Sequence, residues 1–223
     1  MLRQLRQVKS EDTPQRLALH TSAGHIFRDQ GRYAEAVKHY GKVLGLAKTT
    51  TEVVQAQQLL GLVEMHQGRL TDARNHLESA FVLIDQEHEL SLTVLRTLAD
   101  VRREMGSIEE ALKLYELAWQ MGLKRRDSDG LVLVAAEMAE AFARKGEVET
   151  ALAWLRKANQ QLDANKLERG SRGEASVIAK VDGYMASVHH ARGDVTQARE
   201  LYRKALRGQA ATLRPNHPDI LAT

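Results

Sequence analysis

The residues of this chain whose types could do chemistry are its nine histidines, a glycine pair at Gly170 and Gly173, and scattered Ser, His and Asp side chains. A metal needs ligands that converge. His189 and His190 are adjacent, so on a helix they diverge by about 100°, while His20 and His25 are five residues apart and His217 precedes a proline. No histidine pair at four-residue spacing comes with a third ligand, so no metal is expected. Gly170 and Gly173 lack the Lys-Ser/Thr and the preceding strand of a phosphate-cradling loop. There is no Gly-x-Ser-x-Gly elbow, and an array of helices would not converge a Ser-His-Asp triad. With no cysteine, a thiol nucleophile, a thiolate metal site and a disulfide are all excluded. The expectation is a non-catalytic chain with no cofactor.

The elements that position side chains are legible in a recurring stretch, Gly31-Arg32-Tyr33-Ala34-Glu35-Ala36-Val37-Lys38-His39-Tyr40. Its pattern is Gly, an apolar residue two on, Ala five on, and an apolar or aromatic residue nine on. It returns as Gly68-Leu70-Ala73-Leu77, Gly106-Ile108-Ala111-Tyr115, Gly146-Val148-Ala151-Leu155 and Gly193-Val195-Ala198-Tyr202. The glycines are 37, 38, 40 and 47 residues apart, a period that belongs to helical solenoids. Apolar positions recur at helical spacing on both sides of each glycine. The spacing predicts helices over about 13–30 and 33–47, 51–67 and 70–87, 90–105 and 108–123, 128–145 and 148–166, and 174–192 and 195–212. The repeats thus span about 13–48, 51–87, 90–124, 128–168 and 174–212. Residues 1–12 read as a frayed helix, an arm or a remnant of something longer, and Lys166 to Gly173 as an exposed, mobile loop.

At 223 residues, 43% apolar and 27% charged, with only three prolines, the chain has the composition of a helix-rich globular protein. A net charge of +3, with Arg3, Arg6 and Lys9 near the start, leaves the body close to neutral, which does not favour nucleic acid. Aromatic platforms are short as well, because Tyr33, Tyr40, Tyr115 and Tyr202 belong to the repeat interior and only Tyr184 looks free. Trp119 and Trp154 fall on second helices, where packing between repeats is their expected role. No run of about 18 apolar residues would insert in a membrane, and no secretory signal core is present. A soluble, cytoplasmic protein is expected.

These residues resemble the tetratricopeptide repeat. The first repeat matches at Gly24, Phe27, Gly31, Tyr33, Ala36 and Tyr40, and the second at Leu60, Gly61, Gly68, Ala73, Leu77 and Ala80. The third matches at Leu98, Ala99, Gly106, Ala111, Tyr115 and Ala118, the fourth at Ala139, Phe142, Gly146, Ala151 and Ala158, and the fifth at Ala186, Gly193, Ala198, Tyr202 and Ala205. Where the family usually has Trp, this chain has His20, Gln57, Leu95, Ala135 and Asp182. The resemblance implies an all-α, right-handed α-solenoid of five hairpins, residues 13–223, whose first helices line a concave face that holds a peptide or helix of another protein.

Projecting the family's groove onto this chain selects Thr21, His25, Arg28 and Asp29, then Gln55, Gln58, Leu62, Met65 and His66. It continues with Thr93, Arg96, Asp100, Arg103 and Glu104, then Glu137, Glu140 and Arg144, and finally Lys180, Tyr184, Ser187 and His190. The arginines offer a planar fork for carboxylates or carbonyls, or pair with acids on their own faces. Members that clamp a chaperone's C-terminal carboxylate use Lys and Asn at positions that hold Thr21 and His25, Gln58 and Leu62, or Arg96 and Asp100 here, so that clamp is not expected. Tyr202 to Leu206 followed by Arg214-Pro215-Asn216-His217-Pro218-Asp219-Ile220 resembles a repeat junction of kinesin light chains, whose next helix would begin within 213–223. It implies a piece of a longer array acting as an adaptor, or a terminus that docks on a partner. A regulatory or sensor module of a larger signalling protein is the alternative. Self-association through Val195, Leu201 and Leu206 of the last hairpin is a further expectation.

Overall fold

The computed structural model describes residues 13–85, 87–164 and 172–212, which form ten helices and no strand. They are α1 (Thr13–Arg28), α2 (Tyr33–Leu46), α3 (Thr50–His66), α4 (Leu70–Val82), α5 (Ser91–Glu104), α6 (Ile108–Arg125), α7 (Ser128–Arg144), α8 (Val148–Ala164), α9 (Arg172–Arg192) and α10 (Val195–Thr212). The arm at 1–12, the loop as far as residue 171 and the segment 213–223 lie outside the described residues. Arg172 and Gly173, expected to end the loop, are the first residues of α9.

Each helix pair turns in the same way. Gly31, Gly68, Gly106, Gly146 and Gly193 all have positive φ, between 70° and 91°. The amide of the following residue reaches back to the carbonyl five positions earlier, as Arg32 does to Phe27 at 2.8 Å and Ser107 to Arg102 at 2.9 Å. This closure satisfies carbonyls that the helix end leaves unpaired, and glycine adopts it without steric cost. The carbonyl after the glycine then accepts from the repeat's alanine, Arg32 from Ala36 and Glu147 from Ala151, so the turn fixes where the next helix begins.

The chain divides into two compact units, Met1–Val101 and Arg102–Thr223. In the first, α1 pairs with α2, α3 with α4, and α2 packs on α3. Ala23, Phe27, Tyr33, Ala36 and Tyr40 form one core with Leu59, Leu60 and Val63, and Val54, Ala80 and Val94 form another with Ile84 and Leu90. In the first two hairpins the close approach of the helices requires glycine. A Cβ on Gly24 would collide with the Tyr40 ring, and one on Gly61 would lie 2.5 Å from Leu77 Cγ. α4 ends at Val82, five residues before the expected boundary, because Asp85 competes for the backbone: its carboxylate accepts from the amides of Glu87 and His88, both at 2.9 Å.

In the second unit α7 is the hub, packing on α6, α8 and α9. It is buried on nearly every side, which its alanines at 135, 136, 139, 141 and 143 permit. Trp119 of α6 meets Trp154 of α8 edge to face at 5.2 Å, and Lys157 Nζ stands 3.6 Å above the Trp154 ring. The tryptophans are packing residues, as expected. Arg126, after α6, has φ 55° without being glycine. Arg126→Gly is therefore expected to raise stability by roughly 1 kcal/mol, read in a urea titration. An unchanged or lower midpoint would show that the turn is not strained.

Candidate partner-binding surface

The expected binding residues lie on first helices, and their exposure separates them. In the first unit α3 carries a stripe at three- and four-residue spacing: Gln55 is exposed, Gln58 buried, and Leu62 and Met65 half-buried. Half-buried apolar side chains on a helix face are what an incoming segment can finish covering. Arg28 of α1 is half-buried and donates through Nε and Nη2 to Asp29 at 2.9 and 2.8 Å. Thr21 turns back on the Leu17 carbonyl at 2.9 Å, and Arg96 and Asp100 of α5 are half-buried.

In the second unit the candidates divide between buried and exposed. Arg103, although expected on the groove, is 6% exposed and donates through Nη1 to the Tyr115 hydroxyl at 2.9 Å. Its guanidinium also pairs with Glu104 at 3.3 Å and lies 5.8 Å from the Tyr184 ring, so Tyr184 is not free as expected. Glu140 is buried. Its Oε1 takes Arg144 Nε at 2.9 Å, while Arg144 Nη2 reaches Glu104 at 3.0 Å. Burial opposes the Arg144 charge, but its hydrogen bonds to Glu140 and Glu104 outweigh that and raise its pKa. Arg144 and His190 are exposed. Pairing of groove arginines with acids on the same face is what Arg28, Arg103 and Arg144 display.

Sequence reasoning missed a set of polar crossings inside the hairpins. Where the family has Trp, His20 Nδ1 meets His39 Nδ1 at 3.1 Å, Gln57 meets His76, and Asp182 takes Lys204 Nζ at 2.9 Å. The available signal was a second polar residue 19 or 22 positions on, in the facing helix. Glu64, also missed, is buried between Arg69 and His76, with His76 Nε2 at 3.6 Å. Burial raises its pKa, with His76 and Arg69 pulling the other way.

The first hairpin carries a pH dependence. Burial lowers the pKa of His20, His39 and His25; Lys42, His39 and Arg16 add to the effect on His20, Lys42 on His39, and Arg28 on His25, with Asp29 opposing at His25. In the contact between His20 and His39 one ring must supply a lone pair, which double protonation removes. The folded imidazoles hold fewer protons than the unfolded ones, so their contribution to stability is complete above the ordinary histidine value. It is lost as pH falls through that value towards the lowered ones. Melting temperature should drop on acidification through this window, and less steeply in His39→Gln. Parallel curves for the two chains would contradict this origin.

Among the described residues there is no cluster of three or more metal-ligating side chains, and no helix is long and apolar enough to cross a membrane. The MalT-like TPR region model matches residues 3–207. Among solved structures, the chain is similar to TPR-like repeats of a kinesin light chain from Podosopora anserina, with 22% identity, TM-score 0.62, and coverage of 90% of this chain and 98% of that one. It is similar to BtubC (BKLC) from P. vanneervenii at 16% identity and TM-score 0.69, covering 97% and 89%. A Rap protein complexed with Competence and Sporulation Factor is 11% identical with TM-score 0.72, covering 92% of this chain and 56% of that one. None of the curated proteins matches the chain. The five glycine-turned hairpins and a family match across most of the sequence lead to one conclusion: the chain belongs to the family of MalT-like TPR regions, with an all-α helical repeat fold.

Proposed function

We propose that the protein is a non-catalytic adaptor that binds a peptide or helical segment of another protein on the exposed sides of its first helices. The observation that carries this reading is the α3 stripe, where Leu62 and Met65 stay half-open beside the polar, exposed Gln55. Such a stripe offers apolar anchors for affinity and polar neighbours for register. The similar Rap protein was solved with Competence and Sporulation Factor bound, which supports a binding role for this type of fold. A regulatory module of a larger protein is the second reading, favoured by the likeness to a Rap protein of which this chain covers 56%.

The test uses capture from a lysate by wild type, Leu62→Glu/Met65→Glu and a control with Ser79→Glu on the exposed side of α4. A segment held by wild type and control should lose at least about tenfold in affinity for the α3 variant, since anchors of this kind dominate binding. Equal binding by all three folded chains would remove the α3 face from the account.

A further inference from the structure

Tyr40 is fully buried, and its hydroxyl has no hydrogen-bond partner among the described residues. A buried hydroxyl left unpaired is costly. The same chain contains the solution. Tyr115 stands at the equivalent repeat position, nine residues after the turn glycine, and its hydroxyl accepts from Arg103, three residues before that glycine. Arg28 is the counterpart of Arg103, also three residues before its glycine and twelve before its tyrosine, and an acid follows each arginine, Asp29 and Glu104.

The repeats couple these two positions. Arg28 goes with Tyr40, Arg103 with Tyr115 and His190 with Tyr202, whereas Met65 goes with Leu77 and Ala143 with Leu155. A polar residue precedes the turn where a hydroxyl follows it, and an apolar residue where leucine does. Arg103 keeps 7% of its side chain exposed, Arg28 30%. Arg28 points outward to Asp29, its neighbour in sequence, in an exposed pair of the kind that contributes little in water.

We propose that Arg28 is a two-position side chain: outward, it presents its guanidinium to a carboxylate on the surface of α1, and inward, it donates to the Tyr40 hydroxyl as Arg103 does to Tyr115. Asp29 occupies the outward position in the isolated chain. An acidic side chain or C-terminus of a partner would take its place, so the first hairpin reads carboxylates while the third keeps its arginine for its own interior. The partner half of this statement rests on the binding role proposed above; the two positions themselves do not.

A thermal double-mutant cycle on the full chain tests the positions without any partner. In wild type, with Arg28 outward, Tyr40→Phe removes an unpaired hydroxyl and should leave the melting temperature unchanged or raise it. In Asp29→Asn, Arg28 turns inward, and Tyr40→Phe should then lower the midpoint by about 2–4 °C. Tyr115→Phe should lower it in both backgrounds, which checks that the assay detects such a bond. A Tyr40→Phe shift of the same sign and size with and without Asp29 would overturn the inward position. Repeating the Asp29→Asn pair in acetate and in chloride at matched ionic strength tests the carboxylate. Acetate should shrink the difference between Tyr40 and Phe; an equal difference in both salts would overturn carboxylate capture.

Discussion

Arg103→Glu is expected to cost about 3–5 kcal/mol, the scale of leaving an uncompensated charge at a buried position. Arg103 is almost closed to solvent, bonds the Tyr115 hydroxyl and pairs with Glu104. The variant would strand that hydroxyl and place two carboxylates side by side. Arg28→Glu, at the same repeat position but on an exposed pair, should cost under about 1 kcal/mol. Urea unfolding of the two chains decides it. Similar midpoints would mean that Arg103 is not the interior group described here. The consequence for function is practical: reversing Arg103 would report folding, whereas reversing Arg28 or the α3 stripe reports binding.

The second large effect lies at Gly61 and Leu77. Leu77 is fully buried, and Leu77→Ala should lose about 2–5 kcal/mol through the cavity it leaves. A methyl on Gly61 would press into Leu77, so Gly61→Ala should cost about 1–3 kcal/mol by overpacking. The two are one contact seen from both sides. In the double variant the new methyl enters the space vacated by leucine, and the loss should be smaller than the two single losses combined. Strict additivity in chemical denaturation would show that α3 and α4 do not meet through this pair.

The turn glycines made the fold legible, because one backbone requirement, a left-handed residue closing the first helix, is repeated with its buried alanine five positions later. Helix ends without that device were less legible. α4 stops at Val82 because the Asp85 carboxylate captures two amides, a local competition that apolar periodicity does not encode. The family resemblance projects Leu62, Met65, Arg144 and Arg103 alike onto the groove, and the first three lie on accessible parts of their helices. Arg103 is buried instead, since the repeat gives Arg28 and Arg103 the same position and only side-chain packing distinguishes them. The crossing between His20 and His39 was hidden for a related reason. Each histidine reads as an ordinary polar residue until the hairpin brings the two rings together.

The most direct test of the binding role is hydrogen–deuterium exchange on the chain alone and with the segment whose capture depends on Leu62 and Met65. The account predicts added protection in the first helices, led by α3 and α1, with α2 and α4 unchanged. Protection confined to α2 and α4, with α1 and α3 exchanging as in the free chain, would contradict it.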